Sequence, residues 1–130
     1  MNYVVIITSL TLFASPVFAQ NIAVPSGQPV TLHDVMIEAT DRANSYRFRF
    51  LTPDIDGSDV LQNIDILEGD MVHLCQEYAL PQIAASGDIA GRVIISFADR
   101  PTEFGVATPD VTQVFESYSI ENDTCIWEAF

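Results

Sequence analysis

The chain reads as a small single domain of the α+β class, a mostly antiparallel sheet in the order β-β-α-β-(β)-α-β with two helices packed on one face and one disulfide. Three observations predict it. Two neighbouring stretches near the start alternate apolar and polar residues with period two. An apolar stripe at helical spacing follows, and after it comes a β-branched run that is apolar on both faces. The opening hairpin and the short connections leave little room for crossovers between parallel strands.

Val24-Pro25-Ser26-Gly27-Gln28-Pro29 has the Pro and Gly density of an irregular loop. Leu32 to Ala39 and Ser45 to Leu51 then read as a hairpin. A turn at Arg42 and Ala43 sets Val35 opposite Phe50 and Ile37 opposite Phe48, with Glu38 opposite Arg47 and Met36 opposite Arg49. One face is then apolar, with His33 at its end, and the other charged, as in an antiparallel sheet covered on one side.

Thr52 to Asn63 is polar and turn-rich, a surface loop. Asp65 offers an N-cap with Glu68 three positions on, and Leu67, Met71, Leu74 and Tyr78 recur on one helical face, which predicts a helix from about Ile66 to Leu80. Cys75 shares that face and points at the core. Pro81 breaks or kinks the helix, with a short turn continuing to Gly87. Arg92 to Ala98 suits a central strand. Asp99-Arg100-Pro101 is a turn and Thr102 to Val106 a short returning strand. Thr108-Pro109-Asp110 has the cap hydroxyl, first-turn Pro and carboxylate of a helix start, and Val111, Val114, Phe115 and Tyr118 give the second helix an apolar face. Cys125 to Glu128 is a last short strand.

Val4 to Phe13 is an apolar run ending at Ser15-Pro16-Val17-Phe18-Ala19, the form of an export cleavage site before Gln20. About ten apolar residues are too few for a stable membrane anchor, and no Cys follows the cut to carry a lipid. The expected organisation is a signal peptide over 1–19 and one domain over 20–130, secreted or periplasmic. The alternative is a buried N-terminal strand, since the leader carries no Lys or Arg.

Asp and Glu number 18 against 5 Arg and no Lys, a net charge of -13. Nucleic acid and anionic membrane are poor partners for such a surface. Cys75 and Cys125, in an oxidising compartment, predict a disulfide closing a loop of about fifty residues, worth roughly 4 kcal/mol on the chain-entropy estimate. A pair of reactive thiols is the alternative, without a Cys-x-x-Cys spacing to favour it.

Asp54, Asp56 and Ser58 fall at positions 1, 3 and 5 of an EF-hand loop, but position 6 is Asp59 where the turn demands Gly, so calcium at Asp54, Asp56 and Asp59 is a secondary reading. His33 and His73 lack zinc-site spacing. Ser, His and carboxylates are present for a small hydrolase, without a Gly-x-Ser-x-Gly elbow. No cofactor is called for. Arg47 and Arg49 project from one strand face about 7 Å apart, a spacing that suits a carboxylate or phosphate, though Asp34 and Glu38 on the next strand compete for them. The second candidate binding region is the turn of Asp99, Arg100 and Glu103 within Asp99-Arg-Pro-Thr-Glu-Phe-Gly105.

Val24-Pro-Ser-Gly-Gln-Pro-Val30, Arg47-Phe-Arg-Phe-Leu51, Met71-Val-His-Leu-Cys75, Asp99-Arg-Pro-Thr-Glu-Phe-Gly105 and Cys125-Ile-Trp-Glu128 together resemble a family of small exported alphaproteobacterial proteins of unknown function. The resemblance implies a periplasmic home and the same Cys75 to Cys125 pairing, and brings no activity with it. Some members bear the label acetolactate synthase, but this chain is too short for a thiamine diphosphate enzyme and lacks a Gly-Asp-Gly segment. The acidic cluster at 54–59 is not among the features of the resemblance. The function expected is therefore binding, with a protein or envelope component as partner; a calcium-binding protein and a small hydrolase are the alternatives.

Overall fold

The structure, a computed structural model, describes residues 2–5, 20–57 and 59–129. The expected leader falls mostly outside that set. Five strands form one sheet in chain order: β1 (Thr31–Glu38), β2 (Asn44–Leu51), β3 (Ala90–Ala98), β4 (Gln113–Glu121) and β5 (Thr124–Glu128). Every neighbouring pair is antiparallel except β2 and β3, which run parallel. The segment between them carries, after a 3-10 turn at Ile55–Gly57, a helix of 22 residues that lies on one face of the sheet. A crossover, disfavoured from the short connections, thus sits at the sheet's centre; residues 52–89 are ample for it, since a dozen or so suffice.

The hairpin of β1 and β2 forms with its register moved by two residues: Val35 faces Phe48, Ile37 faces Tyr46, Met36 faces Arg47 and Asp34 faces Arg49. A shift of two preserves the faces. The exception is His33, which a bulge between Leu32 and Asp34 removes from the face of Val35 and Ile37.

The helix consists of α1 (Ile64–His73), a π-helical stretch (Leu74–Ala79) and α2 (Leu80–Ala85). Its N-cap is Asn63 and not Asp65: the Asn63 side chain accepts from the Asp65 N–H at 3.1 Å. Pro81 lies inside the helix. In a regular α-helix its ring would press on the carbonyl four residues back; the wider π turn before it, in which the Leu80 N–H reaches the Cys75 carbonyl, gives that carbonyl room. Leu67, Met71, Leu74 and Cys75 are buried as their spacing predicts, with Ala79 and Ile83 beyond.

These side chains pack on alternate residues of the strands: Tyr46, Phe48 and Phe50 of β2, Val93, Ile95 and Phe97 of β3, and Tyr118 of β4. Tyr78 meets Phe48 and Phe50 edge-on, with centroids 6.2 and 5.7 Å away. The Cys75–Cys125 disulfide forms, with Cα atoms 6.3 Å apart, and ties β5 to the helix. The opening loop docks through Asp70, which is wholly buried and accepts from Ser26 N at 2.9 Å, Ser26 Oγ at 2.5 Å and Gln28 Nε2 at 2.8 Å.

The second expected helix is a strand. Residues 113–121 form β4, paired with β3 from Ala98↔Gln113 to Arg92↔Ser119, and the helix-start signal at Thr108 to Asp110 closes only a turn, Val111 N to Thr108 O at 3.1 Å. Val114, Tyr118 and Ile120 also alternate at period two, and a free edge of β3 outweighs a local cap. Thr102 to Val106 makes no strand either; it is turn, with Gly105 at φ 79°.

Candidate functional site

Because β2 buries Tyr46, Phe48 and Phe50 under the helix, it must turn Arg47 and Arg49 to the opposite face. The connection between β3 and β4, residues 99–112, folds back over that face. Between the two lies a cleft of about 380 Å³ lined by Arg47, Arg49, Ser96, Arg100, Phe104 and Phe115 among others. Two candidate regions that stand about fifty residues apart in the sequence are one site in the fold, and it gathers three of the chain's five arginines.

Arg49 holds the loop down. Only 9% exposed, it donates from Nη1 to Asp34 Oδ2 at 2.8 Å and from Nη2 to the Thr102 carbonyl at 2.7 Å and Thr102 Oγ1 at 3.1 Å. Gln113 Nε2 adds a bond to the same hydroxyl at 3.2 Å. Arg100 closes the loop's neck, donating to the Asp110 carbonyl at 2.9 Å and to Asp99 Oδ2 at 3.4 Å. Asp99 lies at the root, its N–H bonded to the Thr112 carbonyl at 3.1 Å, and is not part of the lining; Glu103 is.

Arg47 differs. Among the described residues no carboxylate stands within ion-pair distance of it, so the expected ladder of Asp34 and Glu38 with the two arginines is half formed. Its guanidinium carbon lies 5.1 Å from the centroid of the Phe104 ring and 5.8 Å from that of Phe115. Burial pushes its pKa below the ordinary guanidinium value, neighbouring Arg49 pushes the same way, and Glu38 opposes them. A guanidinium keeps its charge through any physiological pH nonetheless. Phe104 and Phe115 are 52% and 54% exposed.

His33, displaced by the bulge, lines the cleft's edge with Nε2 4.0 Å from Asp34 Oδ2. Among the described residues no hydrogen bond joins it to the hydroxyl of Ser96 or to that of Thr102, which accepts from Arg49. In the acidic loop, Asp56 Oδ1 accepts from Thr112 Oγ1 at 2.5 Å, while Asp54 and Asp59 line a separate depression of about 700 Å³ with Asp65 and Asp70. Among the described residues no three His, Cys, Asp or Glu side chains come together as a metal would require; Ser58 lies outside the described residues. His73 is on α1, apart from His33 on β1.

Phe115 is the site residue that the sequence hides, since helical spacing counts it with the core. The alternation from Gln113 to Glu121 is the signal that places it outward.

The family of unknown function DUF6497 matches residues 9–130. The chain belongs to this family. No curated protein and no solved structure matches. Membership therefore covers the helix, all five strands and the cleft alike, and carries no activity with it. Among the described residues no helix is long and apolar enough to cross a membrane.

Proposed function

We propose that the protein is an exported domain, periplasmic or secreted, that works by binding and without catalysis, and that its cleft over β2 takes an anionic group of a protein or envelope component. The observation that carries this is Arg47. In a chain of net charge -13, a guanidinium without a carboxylate partner among the described residues is kept on a half-open surface between two phenyl rings. Charge of that kind held in a concave, partly apolar site is what recognition of a carboxylate or phosphate requires. Arg49 and Arg100 spend their donors on the loop itself, which makes the cleft a preformed shape. The disulfide supports an oxidising compartment.

Two measurements test the reading. The intact mass of protein recovered from the producing cell should match a chain beginning at Gln20; an uncleaved mass removes export. Amide chemical shifts of the folded protein, followed while acetate, phosphate and an acidic peptide are titrated in turn, should move on β2 and on 99–112 with at least one anion. Shifts scattered over the surface, or none, remove the anion site.

A further inference from the structure

The same cleft indicates which anion fits. Among the described residues Arg49 is matched by Asp34 at 2.8 Å and Arg100 by Asp99 at 3.4 Å, which leaves Arg47 as the guanidinium of the lining with no carboxylate within ion-pair distance. Glu103 on the cleft's own wall, and Glu38 acting on Arg47 from beyond ion-pair distance, both oppose a second negative charge. The site thus offers one guanidinium outside any ion pair, beside a wall that already carries a carboxylate. Beside it stand two half-exposed phenyl rings, with Val106 and Ala107 of the loop further along the lining. Their apolar surface faces the cleft, and a volume of about 380 Å³ lies at the small end of the range for small-molecule sites.

We infer, resting on the binding reading above, that the cleft selects a monocarboxylate with a compact apolar body of about phenyl size, the carboxylate on the Arg47 guanidinium and the body against Phe104 and Phe115. The planar fork of Arg47 offers two parallel N–H donors to a carboxylate, and ring contacts steady the guanidinium without consuming them. A dianionic phosphate would bring a second charge with no further unpaired guanidinium to meet it among the described residues of the lining. Arg49 and Arg100 are positioning residues, holding the wall that carries Phe104. The same chemistry is offered by a free aryl or alkyl carboxylate and by the C-terminal carboxylate of a peptide ending in an apolar residue.

Titration of the full folded domain, read by amide shifts, separates these cases. The probes are phenylacetate, its neutral amide phenylacetamide, inorganic phosphate, and an N-acetylated tripeptide ending in Phe with a free or an amidated C-terminus. Saturable shifts at Arg47, Phe104 and Phe115 are expected with phenylacetate or the free-acid peptide, and whichever of the two binds more tightly names the source. Phenylacetamide and the amidated peptide should each bind about tenfold or more weakly, the loss of a charge-assisted pair. Arg47→Gln should lose about as much, Phe104→Ala a smaller share, and both should keep the spectrum of the folded protein. Phosphate binding as tightly as phenylacetate and depending on Arg47 overturns the monocarboxylate and leaves the anion site standing. Phenylacetamide binding as tightly as phenylacetate overturns it too, by making the cleft merely apolar. No saturable shift with any probe overturns both readings.

Discussion

The two faces of β2 obey different rules. On the helix side Tyr46, Phe48 and Phe50 are buried in a continuous core that reaches Phe97, Leu74 and Met71. On the other side Arg47 and Arg49 meet a loop instead of a layer, and the aromatic groups beside them, Phe104 and Phe115, stay half exposed. The helix-side residues are held by close packing and a covalent bond; the loop-side residues are held by a handful of hydrogen bonds, two of them from the buried Arg49 guanidinium to Thr102. One strand thus carries the fold on its even positions and the candidate site on its odd ones.

If that division is right, perturbing the two faces gives different signatures. Replacing Cys75 and Cys125 by Ser should cost roughly 4 kcal/mol of stability in denaturant unfolding, because the bridge closes a separation of 50 residues. Leu74→Ala, which empties a fully buried position under the sheet, should cost about 3 kcal/mol in the same assay without moving the cleft's amide shifts. Arg49→Ala should cost less, about 1 to 2 kcal/mol given that its partner Asp34 is partly exposed, yet it should loosen 99–112, seen as faster amide exchange across that loop. Arg47→Gln should change stability by under about 0.5 kcal/mol while weakening anion binding about tenfold or more. An Arg47→Gln protein that is as unstable as Leu74→Ala would break the division outright.

pH sharpens the same contrast from the core side. Burial, with Glu116 and Glu68 adding to it, raises the pKa of Tyr118 above its ordinary value. Between the unfolded value of about 10 and the raised native one, the unfolded chain has lost a proton that the native chain keeps, so stability falls as pH rises above about 10. Tyr118→Phe should flatten that fall in alkaline denaturation. Tyr46, raised chiefly by the hydrogen bond it donates to Asp88, contributes in the same direction and leaves a residual slope.

The helix-side half was legible because its signals are periodic. Leu67, Met71 and Leu74 at helical spacing, the alternation in β2 and the apolar β3 each name a buried face without reference to anything distant. The Cys75 and Cys125 pairing was legible for a different reason, two thiols behind a segment that reads as an export leader. What escaped depends on long-range partners. Val114 and Tyr118 fit both a helix and a strand, and only the unpaired edge of β3 decides between them. His33 changes face through a bulge that leaves no mark in composition. The cleft itself needs 99–112 folded onto β2, a contact between Arg49 and Thr102 across 53 positions. Each half of the site could be picked out along the chain, but not that they meet.

The parallel pairing of β2 with β3 has one more consequence, for the order of events in folding. β1 with β2, and β3 with β4 and β5, are ribbons of near neighbours that can zip locally; β2 and β3 are joined only after the chain has looped through the whole helix. Loop closure of that length is the slow entropic step in such a topology. The cleft straddles this seam, with Arg47 and Arg49 on one ribbon and Thr102, Phe104 and Phe115 on the other, so it exists only in molecules whose two ribbons have docked. A ligand bound there would act as a clasp, slowing the parting of the ribbons while leaving each ribbon's own assembly rate untouched.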